Sequence, residues 1–405
     1  MWAHVRSGDV AYLLDNPVRA YAWGSPTAIP DLLGVIPTGR PQAELWLGAH
    51  PGAASTALTA TGPIPLDELI RTDPPGMLGP RVVERFGPRL PFLLKVLAVE
   101  RPLSIQAHPS QEQASSGYDA EDAAGVPADA AERTYRDRTH KPELVVALSE
   151  FEALLGFREP ADATRVIAEL GVPELTAVAG ALQGPDGLRR AVRSLIDLAP
   201  EDGHRLADAV TAACRERPDE PFTTLAWIGE QHPGDRGLLL AVLLEPTCLH
   251  AGQAAAVPTG TPHTYLRGLA VEAQASSDNT VRAGLTDKHV DRGELLRILR
   301  YEPAAGLRTA PSADSSAEEF AVPGVPDFRL TRFRLGPDPV KPVDGVPRIV
   351  LVTDGRASLT ADGTCTLLER GSSAFVPAAD AAVELVGPGT AFVVAPGIDA
   401  PDAAR

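Results

Sequence analysis

The chain has 405 residues with 37 Lys+Arg against 53 Asp+Glu, a net charge of −16, and that acidic excess argues against nucleic acid or an anionic membrane as the main partner. At 44% hydrophobic and 22% charged it has the composition of an ordinary globular protein of two or three units, not of a disordered chain. Its 39 prolines and 36 glycines interrupt the chain too often for a bundle of long helices.

Cys214, Cys248 and Cys365 are far apart and form neither a CxxC pattern nor a disulfide framework, which fits a reducing, cytoplasmic setting. The N-terminal residues lack an apolar core of signal-peptide length, and no later segment reaches about 18 uncharged apolar residues. The expectation is a cytoplasmic protein that does not span a membrane.

From Met1 to about Phe157, the runs EALLGF, FLLKVLAV, LSIQAH and ELVVAL are bounded by Pro, Gly or charge and predict a mostly β region. Between about Glu159 and Gln231 the period changes. DATRVIAELG, DGLRRAVRSLIDLA and GHRLADAVTAACRER carry apolar residues three and four apart, with Asp162 and Asp186 near helix starts and Gly171 where a C-terminal cap belongs. Strand-like text returns at GLLLAVLLEPTCLHAG and continues through AAAVPTGTPHTYL and GLAVEAQAS. EPAAGLRTAPSADSSAEE has little to bury and reads as a linker. Beyond PRIVLV, short strands separated by DG, RG and GPG turns predict an antiparallel barrel or sandwich. The expected partition is 1–157 and 237–303 as two parts of one β unit, 158–236 as a helical insertion, 304–322 as linker and 323–405 as a second β unit. GQAAAVPTGTPHTYL and ERGSSAFVPAADAAVEL share an order of Gly, small residues, apolar residue and Pro, which two related barrels or chance would equally explain.

All nine histidines, from His4 to His289, precede residue 290, so histidine chemistry belongs to the β material before the linker. In SIQAHP, Gln106 and His108 are two apart and share a face if the segment is a strand; alone, they equally suit a solvated edge. Thr139-His140-Lys141-Pro142-Glu143 gathers titratable groups at the head of an apolar strand. A turn would do the same, but Glu143 would need a cation or metal if it pointed inward. In VPTGTPHTYL, two prolines fix the backbone where His263 enters a strand, a place where a purely structural histidine also fits. Together Gln106, His108, Glu143 and His263 offer O, N, O and N, a donor set suited to a divalent metal such as zinc with an open position. Their spacing is too long for a zinc-finger loop and suits a site assembled from different strands. In the polar run from Glu272 to Lys288, Arg282 and Lys288 would suit an anionic substrate such as a phosphate, and a solvated loop would suit the same text.

Taken in order, YAWG, ELWLGAHP, SIQAHP, HKPE, VPTGTPHTYL and SSDNTVRAGLTDK resemble type I mannose-6-phosphate isomerase, a family of zinc-dependent cupin enzymes, over almost the whole chain. The resemblance implies a mainly β fold of two cupin-type (jelly-roll) β-barrels with an α-helical insertion, the second barrel without metal. It implies Gln106, His108, Glu143 and His263 as ligands of one zinc ion per chain and Arg282 as the catalytic arginine. Lys95, Ser104, Lys141, Tyr265, Glu272, Asp278 and Lys288 match positions lining the family's pocket, with Lys288 and Ser104 as phosphate contacts and Lys95 nearby.

The implied reaction is the reversible interconversion of mannose 6-phosphate and fructose 6-phosphate by proton transfer between C1 and C2. The metal would organise sugar oxygens and Arg282 would stabilise enediolate charge. Glu272, Lys141 with His140, Asp278 or a metal-bound water would serve as base. The implied partner is a small sugar phosphate, with neither nucleic acid nor membrane, and a chain that is a monomer or weak homo-oligomer. Thr139, Asp287, Arg101 and Pro102 depart from the family pattern, and Asp287 adds negative charge beside the expected phosphate site. Two other readings compete. Gln106 and the paired cations speak against a cupin dioxygenase, and a non-catalytic sugar-binding cupin would have no need of both a metal set and Arg282.

Overall fold

Every residue of strand Glu143–Ala147 is buried, but its two faces meet different surroundings, as the two-residue period of a strand requires. Leu144 and Val146 pack with Phe92, Leu94 and Val96 and against Ile349, Leu351, Phe375 and Phe392 of the C-terminal region. Val145 and Ala147 turn the other way, onto Leu97, Val99, Phe151, Tyr265 and Ala270. The same alternation in Phe92–Val99 puts Lys95 on the face of Leu97 and Val99. That face is therefore apolar at one end and carries Lys95 and Glu143 at the other.

The computed structural model describes residues 11–309, 316–379 and 382–398. His4, part of the expected linker and parts of the expected second unit lie outside the described residues. The chain forms antiparallel sheets with helices, a mainly β architecture. Among the described residues, one sheet has 11 strands and the other 10. The 11-stranded sheet is organised around the long strand His263–Ala275. The first part of that strand pairs with Ile105–Ala107 and Phe151–Phe157, and the later part with Phe92–Val99 and Glu143–Ala147. The register shifts between Tyr265 and Arg267. Gly268, with φ 116°, follows at the bend, where an added Cβ would meet the Glu150 carbonyl oxygen at 2.3 Å.

The 10-stranded sheet centres on Arg348–Ala361, flanked by Gly389–Ala395 and Ser373–Val376. It also takes in Tyr12–Asp15, Thr56–Thr59 and Gly62–Pro65, from the part of the chain expected in the first unit. Within the segment expected as a linker, 304–322, Arg308–Thr309 pairs with Ala254–Val257 and Ala317–Phe320 with Arg329–Leu335, so both ends of that segment are strands. Within the strand Arg348–Ala361, Asp354-Gly355 continues the ladder, opposite Thr390 and Gly389, rather than forming the turn its sequence predicts, and the register shift falls just before it, at Thr353. Gly355 takes φ 65°, and a Cβ there would meet the Pro388 carbonyl oxygen at 2.0 Å. The next Asp-Gly pair does turn: Asp362 and Gly363, both at positive φ, connect Ala361 to its partner Thr364.

Helices Pro160–Leu170, Thr176–Ala181, Gly187–Ile196, Pro200–Arg215 and Phe222–Gln231 fill the segment with helical spacing. Gly171 closes the first in the left-handed conformation. Their apolar faces share one core with Ile105, Ala107, Leu154, Leu266 and Val281 of the 11-stranded sheet. One expectation fails here, because GLLLA is the helix Gly237–Ala241 and the strand starts only at Leu244. A short, fully buried apolar run has no exposed face to reveal its period. Helices within the predicted β region, such as Leu66–Thr72 and Gln111–Ala123, were likewise not legible as helices. Among the described residues, no helix is long and apolar enough to cross a membrane.

Candidate active site

The polar end of the inner face becomes a site because three strand ends converge there. His108 follows Ile105–Ala107, Glu143 begins Glu143–Ala147 and His263 begins His263–Ala275. The two imidazole centroids are 5.1 Å apart. His108 Nε2 lies 3.2 Å from Glu143 Oε1, and His263 Nε2 lies 3.3 Å from Glu143 Oε2. All three side chains are at most 2% exposed.

Both imidazoles turn Nδ1 to a backbone carbonyl oxygen, His108 to Asn279 at 2.8 Å and His263 to Thr261 at 3.0 Å. A carbonyl only accepts, so each Nδ1 carries the proton and each Nε2 presents a lone pair. Those Nε2 atoms are buried and have no hydrogen-bond partner. Two lone pairs aimed at a carboxylate repel unless a cation lies among them, and His–Glu–His with backbone-anchored rings is a donor set that fits zinc. Gln106, the remaining predicted ligand, stands in register between His263 and Arg282 and lines the same cleft.

The ionisable groups are tightly coupled. Burial alone would raise the Glu143 carboxyl, but Lys141, 3.0 Å away, and His108 outweigh it and hold it well below its ordinary value. Burial, reinforced by Lys141, lowers His108 to about 4. Glu272 goes the other way: burial, then the charge of Glu143, raise it to about 7. Lys95 lies 3.3 Å from Glu272 and 3.7 Å from Glu44. Burial disfavours its charge, but those two carboxylates raise it above the ordinary lysine value. Burial, then Glu272 and Glu143, push the Tyr265 phenol well up, and its hydroxyl donates to Glu143 at 3.4 Å.

Above this layer opens a cleft of about 780 Å³. Gln106, Glu143, Lys95, Ser104, Lys141, Tyr265, Glu272, Asp278, Arg282 and Lys288 all line it, and His108 and His263 lie beneath. Arg282 is half-buried and Lys288 sits 5.9 Å over the Tyr21 ring; neither has an ion-pair partner among the described residues. Burial lowers both cations, Arg136 adding to the effect on Arg282 and Arg282 to that on Lys288.

His140 does not join the cleft lining. Its Nε2 lies 2.8 Å from the buried Asp327 carboxylate of the C-terminal region. The polar loop after Glu272 has a second role besides lining the cleft. Ser277 and Asn279 are buried and bind Asp137 and the Thr139 carbonyl, fastening this loop to the segment before Lys141.

Sequence reasoning missed other contributors. Glu44 accepts from Trp46 Nε1 at 2.5 Å while facing Lys95. His50 accepts the Gly52 N–H at Nδ1, 3.1 Å, so its Nε2–H faces Asp278 Oδ1 at 3.5 Å. The helical segment contributes Gln231, His232 and Asp235 to the cleft wall. The alternation in ELWLGAHP carried a signal for Glu44; nothing local marked the others.

Antiparallel sheets carrying a buried His–Glu–His centre under a cation-lined cleft define a metal-site protein built to receive an anionic small molecule. The comparisons narrow that class. Residues 12–160 match the family model for the catalytic domain of type I phosphomannose isomerase. The mannose-6-phosphate isomerases of Salmonella typhimurium and Escherichia coli are 39% and 38% identical, each alignment covering 93% of this chain and 97% of the relative. A zinc-bound crystal structure of mannose 6-phosphate isomerase superposes with a TM-score of 0.89 at 38% identity, covering 96% of this chain and 100% of the other. The chain belongs to the type I mannose-6-phosphate isomerase family.

Proposed function

We propose that this chain is a zinc-dependent aldose–ketose isomerase that interconverts D-mannose 6-phosphate and D-fructose 6-phosphate. The observation that carries this reading is the pair of buried Nε2 atoms facing Glu143 without a hydrogen-bond partner, beneath a cleft whose cations Arg282 and Lys288 have no carboxylate partner among the described residues. Zinc held by His108, Glu143, His263 and Gln106 would supply Lewis acidity toward the sugar oxygens.

The protein groups divide the remaining work. Of the candidate bases, Glu272 has the best-matched acidity, since a carboxyl at about 7 can both take and return a proton near neutral pH. Lys141 is engaged with Glu143, and Asp278 is half-exposed beside His50. Glu272 would remove the proton from C2 of the open-chain aldose and return it to C1, while the O2 hydroxyl proton passes to O1. Arg282 would stabilise the negative charge that develops on the sugar oxygen meanwhile. Lys288 and Ser104 would bind the phosphate, and Lys95, flanked by Glu44 and Glu272, would orient the base. The His140–Asp327 contact supports a structural role for His140 instead of a share in proton transfer.

The alternation of the sheets and the bend in His263–Ala275 support two cupin-type barrels, with 158–236 as an insertion and 323–405 forming most of a barrel without metal. The size of the cleft supports a free sugar phosphate as substrate and the acidic net charge speaks against nucleic acid or an anionic membrane; a cytoplasmic monomer or weak homo-oligomer completes the proposal. Fructose 6-phosphate formation from mannose 6-phosphate, followed before and after chelation with metal content measured on the same sample, tests the reading. Turnover that survives complete metal removal would refute it.

A further inference from the structure

A second group of metal-ligand side chains lies outside the cleft. Strands Phe151–Phe157 and Leu244–Leu249 pair antiparallel with Leu249 opposite Phe151 and Cys248 opposite Glu152. The same register, continued by one residue, sets His250 against Glu150. Phe151 and Leu249 turn into the core, so alternation sends their neighbours Glu150, Glu152, Cys248 and His250 to the opposite, outer face. The sequence pattern is Glu-x-Glu on one strand facing Cys-x-His on the other.

Ligand atoms of Glu150, Cys248 and His250 all lie within 4.8 Å of one another. Among the described residues, none of these three side chains makes a hydrogen bond or ion pair, whereas Glu152 meets Arg267 at 3.6 Å. The Cys248 thiol is pushed up by partial burial and then by Glu150 and Glu152, with Arg308 opposing. Two carboxylates beside a thiol discourage thiolate formation until a cation offsets all three charges.

We propose that Glu150, Cys248 and His250 form a second divalent-cation site, separate from the centre in the cleft. Thiolate, imidazole and carboxylate together suit a borderline-soft ion such as Zn²⁺ and disfavour Mg²⁺ and Ca²⁺, which take oxygen ligands. Glu152 shares the face but pairs with Arg267 and lies outside the converging group.

Cobalt(II) is a direct probe because a thiolate ligand gives a near-ultraviolet sulfur-to-cobalt charge-transfer band. Holoenzyme with its cleft centre filled by zinc, titrated with Co²⁺, should develop that band and saturate at one cobalt per chain. Cys248→Ser should abolish the band. His250→Ala and Glu150→Gln should weaken Co²⁺ binding by about tenfold or more, the least that losing a supporting group of a metal site costs. Turnover should be unchanged in all three variants. No band in the wild type, or an undiminished band in Cys248→Ser, would overturn the proposal; the latter would assign the thiolate to exposed Cys365. Because the band reports sulfur ligation and not activity, its presence or absence is independent of whether the isomerase reading stands.

Discussion

The two sheets of this protein are built by one rule and put it to different uses. In the 10-stranded sheet the inward positions are mostly apolar, among them Val350, Val352, Leu359, Ala374, Val376 and Val393, with Arg348 on the strand face of Val350 and Val352. In the 11-stranded sheet the corresponding alternation begins the same way, with Leu97, Val145 and Ala270, and then gives way to Lys95, Glu143 and Glu272. The buried arginine of the first case, Arg348, donates to the carbonyls of Val343 and Pro377 and pairs with Asp344, binding its own connections together. Arg282 of the second makes no such bond among the described residues and faces the cleft. Chemistry here is a local exchange of apolar for ionisable side chains at one end of a shared scaffold.

The sharpest way to break that contrast is to remove a metal donor. His263→Ala should lose bound metal and lower turnover by at least the roughly 10²–10³-fold typical of losing a preorganised electrostatic group, with elemental analysis and a coupled assay as readouts. Full metal occupancy in that variant would remove His263 from the centre. Arg282→Ala comes next: turnover should fall by roughly 10²-fold while metal content stays intact. Lys288→Ala should act mainly on the Michaelis constant, since the phosphate carries its charge in substrate and transition state alike.

The same contrast has a signature in pH. Glu272 titrates at about 7, above its ordinary value, so kcat/KM should show an acid limb near pH 7 as the base loses its proton. Stability moves the opposite way. Below the ordinary carboxyl value both folded and unfolded chains are protonated, and the group's contribution is fully present. As pH rises the unfolded chain releases its proton first, and the contribution is lost through about pH 7. Melting of the metal-free protein between pH 5 and 8 should therefore fall less steeply in Glu272→Gln. A smaller effect should come from the seam between the sheets, where Asp327→Ala leaves His140 without its partner. A stability loss of roughly 1–3 kcal/mol, the cost of leaving a polar group without its hydrogen-bond partner, is expected, with metal content per folded chain unchanged, measurable by denaturant unfolding.

Much of the site was legible because its residues sit at strand ends, where short-range parity places side chains. Period two set Gln106 and His108 on one face if SIQAHP was a strand, and Glu143 stood out as a charge heading an apolar run, though a solvated edge and a turn fitted the same text. The family resemblance then joined them to His263 across the helical segment, which no local pattern could do. His50 and Asn279 act through partners distant in sequence, as in the His50–Asp278 contact, so nothing in their own neighbourhoods announced them. The helix at Gly237–Ala241 was misread for a related reason: when all five residues are buried, hydrophobic period carries no information.

The pairing of Tyr12 with Phe375 has a consequence for how the chain is made. Tyr12–Asp15 leaves the ribosome long before its ladder partner Ser373–Val376. Asn16 closes the junction, donating to Ser373 Oγ at 2.7 Å and accepting from Ser55 Oγ at 2.8 Å. During synthesis Tyr12–Asp15 therefore has only Thr56–Thr59 to pair with, and its other edge stays open to any strand nearby. A nascent chain halted before Ser373 would hold every residue of the cleft and still expose that edge, so completing the cleft does not by itself close the sheet.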